Sequence, residues 1–128
     1  MSGAGGALQT GAMAAVADIT GLNGVYPGTP IQAAAPFAIV EIGPETDWGH
    51  KNGAGRELRL AVIVRDEGET PDRVRVLADA ARQHVEQMAA EQGGWRIVSL
   101  ALLRARIVQE KGGEWAALTE WRARMLAL

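Results

Sequence analysis

The sequence predicts an α+β fold: an antiparallel sheet of about four strands in two long hairpins, with one short and one long helix packed on one face. Three observations carry this. Two long runs, Phe37–Ile42 and Arg56–Arg65, flank a Gly-rich tip, and the second alternates with the period of a half-buried strand. A second pair of alternating runs, Trp95–Lys111 and Glu114–Met125, flanks Gly112-Gly113, a two-residue hairpin signal. Between the two ribbons lies a stretch with helical period, from Thr70 to Gly93-Gly94.

The first ribbon organises the chain. Leu58, Leu60, Val62 and Val64 point one way, and Arg59, Ala61, Ile63 and Arg65 the other. Asn52-Gly53 suits the positive φ of a type I′ turn. With those two residues as the loop, Lys51 faces Ala54, Trp48 faces Glu57 and Ile42 faces Ile63. Gly43-Pro44 interrupts the outgoing strand, and proline cannot donate to a ladder. Phe37–Trp48 is therefore expected at a sheet edge, bent near Pro44.

Residues 1–6 are Gly/Ala-rich and read as a flexible N-terminus; 7–128 read as a single domain. A short helix is expected over Ala7–Ile19, from the spacing of Leu8, Met13, Val16 and Ile19. Gly11 costs it about 1 kcal/mol relative to Ala. Gly21 and Gly24 end it, Val25-Tyr26 suits a very short strand, and Pro27-Gly28-Thr29-Pro30 a loop.

After the polar turn Asp66-Glu67-Gly68-Glu69, Thr70-Pro71-Asp72 supplies a helix start: a cap, Pro at the first position, an acid in the first turn. Val74, Leu77, Ala78, Ala81, Val85, Met88 and Ala89 then form one face of a helix of about 20 residues. Gly93-Gly94 ends it. In the last ribbon, a loop at Gly112-Gly113 sets Lys111 against Glu114, Arg104 against Trp121 and Leu100 against Met125. Val98, Leu100 and Leu102 then share a face with Trp121 near the base. Toward the tip that face carries Arg104 and Arg106. Either a bulge switches the face there or the outer ribbon leaves the core.

The chain has 128 residues, net charge −2 and no cysteine. Disulfides and thiol chemistry are excluded. The charge gives no field for nucleic acid or an anionic membrane. No apolar run reaches the ~20 residues of a membrane helix, and Met1-Ser2-Gly3-Ala4-Gly5-Gly6 lacks the positive region of a signal peptide.

No catalytic, cofactor or metal site is expected. His50 beside Asp47 has acid–base chemistry, but no nucleophile adjoins it and the tip is Gly-rich. His84 lies off the apolar stripe and is expected to be exposed. Asp66, Glu67 and Glu69 lack calcium-loop spacing, and Gly49, Gly53 and Gly55 do not follow a strand into a helix. Trp95 and Trp121 read as packing residues. Trp48 and Trp115, each near a hairpin tip, read equally as packing and as subunit contacts.

Size points toward assembly. About 15 strand residues span roughly 50 Å, whereas a compact domain of this length is about 36 Å across. Both faces of the strands carry apolar residues, and the helices cover one.

The ordered set of segments resembles the tail-terminator (tail-completion) proteins of long-tailed phages and of the gene transfer agents of alphaproteobacteria. The resemblance runs from Leu8 to Met125. It rests on the Ala-rich first helix, Val25-Tyr26-Pro27, Pro36-Phe37-Ala38-Ile39-Val40, Thr46-Asp47-Trp48 and Gly55-Arg56-Glu57-Leu58-Arg59-Leu60. The amphipathic helix, Arg96-Ile97-Val98-Ser99-Leu100 and Glu120-Trp121-Arg122-Ala123 complete it. The Gly-rich start and the spare Gly28-Thr29-Pro30 segment depart from the family. The resemblance implies a hexameric ring that caps the tail tube, stops its growth and docks the head. The implied partners are other copies of the chain, the tail-tube protein, a head-completion protein and DNA passing nonspecifically through the bore. The implied location is the head–tail junction of a particle assembled in the bacterial cytoplasm. No cofactor and no membrane come with it.

Subunit-interface candidates are Asp47, Trp48, His50, Lys51, Arg56 and Trp115. Arg59, Arg104, Arg106, Arg122 and Arg124 read as bore or interface residues, or as solvated strand faces. The alternatives are another connector or tube-like subunit, and a small dimeric α+β enzyme or ligand-binding module.

Overall fold

A computed structural model describes residues 3–128. Its order is α1 (Ala4–Ala17), β1 (Val25–Tyr26), β2 (Phe37–Asp47), β3 (Gly55–Glu67), α2 (Asp72–Glu86), β4 (Glu91–Gln92), β5 (Trp95–Lys111) and β6 (Glu114–Ala127). The strands form one six-stranded sheet in the order β1-β2-β3-β6-β5-β4. The β1–β2 pairing is parallel and the rest antiparallel, so the sheet is mixed. It curls as a half-barrel.

This corrects the expected four-stranded antiparallel sheet with one short and one long helix. The two added strands are two-residue edges, too short for a periodicity to register. The helices are nearly equal, at 14 and 15 residues. α1 starts at Ala4 rather than Ala7, because Ala4 and Ala7 both pack into the core. The flexible lead-in expected over 1–6 falls in part on Met1 and Ser2, which lie outside the described residues. α2 ends at Glu86, shorter than its apolar stripe predicts. The chain then turns to pair Gln92 with Trp95, and Gly93 and Gly94 (φ +54° and +87°) form the tight loop. Two successive positive φ values are what a type I′ turn requires. These glycines reverse a hairpin rather than stop a helix.

The central pair is regular. β3 and β6 match without interruption from Gly55↔Leu126 to Glu67↔Glu114. Leu58, Leu60, Val62 and Val64 therefore share a face with Ala117, Trp121, Ala123 and Met125, all buried. Both helices add to the same core: Leu8, Ala12 and Val16 from α1, Val74, Leu77, Ala81 and Val85 from α2. Met88 is half-buried beside it.

Irregularity is confined to β2 and β5. The first hairpin turns at Lys51-Asn52, closed by the His50↔Gly53 bridge, and not at Asn52-Gly53. Neither residue of that loop has positive φ. The bulge between Ile42 and Glu45 at Gly43-Pro44 then shifts the pairing again, so Thr46 faces Glu57 and Ile39 faces Ile63. In the second hairpin Lys111 faces Glu114 as expected, but register shifts at Ile97/Ser99, Leu102/Arg104 and Gln109/Lys111 follow. Leu102 thus faces Trp121, Ile97 faces Met125, and Val98, Leu103 and Glu110 have no partner in the ladder. Each bulge adds a residue to one strand and increases its twist, which coils a sheet.

Candidate assembly interface

The bulge after Leu102 decides where the arginines point. It carries Ala105 and Ile107 to the helix side, opposite Thr119 and Ala117, and sends Arg104 and Arg106 to the other side, opposite Glu120 and Leu118. β3 and β6 place Arg59, Arg122 and Arg124 on that same side. All five arginines singled out in the sequence therefore share the helix-free face. Arg56, opposite Met125, belongs to the helix side.

Carboxylates occupy part of this face. Arg59 and Arg104 both approach Glu120, at 3.8 and 3.4 Å. Arg124 Nε lies 2.9 Å from Glu57 Oε1, and this hydrogen bond holds the Glu57 carboxyl below its ordinary range. Arg65 reaches Glu110 at 2.7 Å. Arg122 has no carboxylate in ion-pair contact among the described residues, although it sits directly across from Arg59. Its Nε and the nearby Ser99 Oγ are buried without hydrogen-bond partners. Ile63, Leu118, Ala61 and Ala101 lie half-buried between the charges. On β5, which beyond Arg96 has no strand outside it, Val98, Leu102 and Leu103 are 47%, 36% and 39% exposed.

The other candidates divide between the two ends of the sheet. Asp47, Trp48, His50, Lys51 and Arg56 cluster at the β2–β3 tip, while Trp115 lies opposite Asp66 at the far end. Arg56 is tied to Glu45 at 2.8 Å and approaches Asp47 at 3.7 Å. Arg124 stacks over Trp48, 5.5 Å from the ring centre, a cation–π contact. Trp115 Nε1 donates to Gly68 O at 3.0 Å. His50 and Lys51 are exposed in the turn. Both tryptophans thus have partners within the subunit.

Two placements depart from the sequence reading. His84 is half-buried against α1, its Nδ1 3.1 Å from Ala15 O, because the side of α2 next to its apolar stripe meets the first helix. Asp66 is buried and held by Arg73, whose Nε lies 2.7 Å from Oδ2. Asp66 also caps the Glu67 N–H at 2.8 Å. The Arg73 hydrogen bond is the main reason the Asp66 carboxyl titrates below its ordinary range. Only a turn that folds back over seven residues brings them together, which spacing alone does not reveal.

A cleft of about 300 Å³ opens between α2 and the outer ribbon, with Arg75, Asp79 and Arg82 above Ala105, Ile107 and Ala117. Among the described residues no group of His, Asp or Glu is placed to hold a metal ion. No helix among them is long and apolar enough to cross a membrane.

The chain is similar, end to end, to a virion component. The match is to a chain of the solved structure "Virion of native gene transfer agent (GTA) particle", at 26% identity and a TM-score of 0.68. It covers 98% of this chain and 100% of that one. No protein-family model and no curated protein matches the sequence.

Proposed function

We propose that the chain is a structural virion protein, the tail terminator of a phage or gene transfer agent particle. The end-to-end likeness to a chain of such a particle carries this reading. On this reading six copies close into a ring on the tail tube, stop its polymerisation and present the docking surface for the head. The work is done by contact, without turnover.

The geometry supports such a role in two ways. A half-apolar sheet face has no helix over it, and the stretch of β5 beyond its short pairing with β4 exposes three large apolar side chains. Exposed apolar surface of this kind marks sites of association. A subunit whose two contact patches differ closes into a ring when the rotation permits. The arginines are expected to line subunit contacts and the bore, where cations aid DNA passage through sequence-independent phosphate contact.

Single-particle imaging of particles with an epitope tag on the C-terminus tests the reading. The tag is expected as a six-fold ring at the head-proximal end of the tail. Label along the whole tail, or at the distal tip, would contradict it.

A further inference from the structure

The helix-free face holds two like-charge pairs of opposite sign. Arg59 is directly across from Arg122, and Glu67 is directly across from Glu114. Like charges set opposite each other in a sheet are destabilising. Glu120, 3.8 Å from Arg59, and Glu57, whose carboxylate feels both arginines, offset the basic pair in part, whereas the acidic pair has no cation in ion-pair contact among the described residues. The two are eight residues apart along β3, about 27 Å, too far for one to neutralise the other within a chain.

The acidic end is held together by contacts between its two turns. Gly68 N–H donates to Gly113 O at 2.8 Å, joining the two turns, and Trp115 Nε1 donates to Gly68 O. Glu67, Glu69 and Glu114 are exposed there, with no cation in ion-pair contact among the described residues; Lys111 lies across from Glu114 without reaching it. The receiving end is incompletely matched: Arg59 is exposed, and half-buried Arg122 has no carboxylate within ion-pair distance among the described residues, only the longer-range charge of Glu57.

We propose that the acidic end of one subunit, carrying Glu67 and Glu114, docks on the helix-free face of a second copy at Arg59 and Arg122. The occupant is another copy because this chain itself carries the complementary pair, on a different patch. The contact is therefore head-to-tail, the kind that closes into a ring or runs on as a filament. It rests on the ring reading above and assigns which surfaces meet in it.

The chain has no cysteine. Ala101→Cys beside Arg122 and Lys111→Cys beside Glu114 therefore supply two unique thiols. They lie about 30 Å apart along β5, beyond a short bis-maleimide within one chain. Cross-linking is run on particles and on the concentrated purified chain. The double variant is expected to give a ladder of linked copies, and each single variant none. Adding Arg122→Glu is expected to reduce the ladder at least tenfold, and adding Glu114→Arg to restore it. Absence of a ladder in both samples overturns the proposal. So does a ladder from Lys111→Cys alone, which means a symmetric contact. So does a ladder that survives Arg122→Glu while DNA delivery falls, which means that the arginines serve DNA. Particles that keep the ring without a ladder refute this contact alone. A ladder in solution from a chain missing from the tail end refutes the terminator reading alone.

Discussion

Trp121, fully buried in the middle of β6, donates its indole N–H to Glu86 Oε2 at 2.9 Å. The bond ties the last turn of α2 to the centre of the sheet. Trp121→Ala should cost about 3–5 kcal/mol, through lost burial and the cavity it leaves. Glu86→Ala leaves the buried N–H unmatched and should cost about 1–3 kcal/mol. Urea denaturation of the two variants checks both values.

Asp66 and Arg73 make stability depend on acid. The folded Asp66 carboxyl titrates below the ordinary value of 3.8. The unfolded chain therefore binds the proton first, and stability rises with pH across that window. The contribution is complete above the unfolded value and is lost as pH falls through the folded one. Denaturation midpoints measured from pH 6 down to pH 2 should fall less steeply for Asp66→Asn than for the parent chain. Equal slopes would remove the pair from the account.

Glycine is required at Gly55 and not at Gly53. A Cβ at Gly55 would sit 2.5 Å from Trp48 O and 2.9 Å from Leu126 Cδ2, in the regular part of the hairpin. At Gly53 the nearest atom is His50 Cε1 at 3.7 Å. Gly55→Ala should therefore cost about 1–3 kcal/mol from overpacking, and Gly53→Ala should stay within about 0.5 kcal/mol of the parent. Thermal unfolding of the pair separates them.

The two faces of α2 should differ as sharply. Leu77 is 6% exposed and Val76 is 67% exposed. Leu77→Ala is expected to cost about 2–5 kcal/mol, and Val76→Ala within about 0.5 kcal/mol. A Leu77→Ala cost below about 1 kcal/mol in chemical denaturation would mean that the helix packs by another face.

The two ribbons and the buried face of α2 were legible in the sequence, because alternation and helical period report burial directly. Register was not. Period-2 reading from the Gly112-Gly113 loop puts Arg104 against Trp121. Two bulges intervene, at Gln109/Lys111 and Leu102/Arg104, and Leu102 takes that place. A bulge leaves no mark in composition; it is set by packing across the sheet. Pro44 did mark its bulge, because proline cannot join the ladder. Gly93-Gly94 was visible as a break, but helix end and hairpin turn use the same residue for the same positive φ. The gathering of the five arginines followed from register, so the sequence named them without placing them. The Asp66–Arg73 pair went unseen because it closes across a turn.

Electron microscopy of particles made without this chain tests the terminator role most directly. Tails of uncontrolled length that fail to join heads are expected, with normal tails restored when the chain is supplied. Tails of normal, fixed length joined to heads would contradict it.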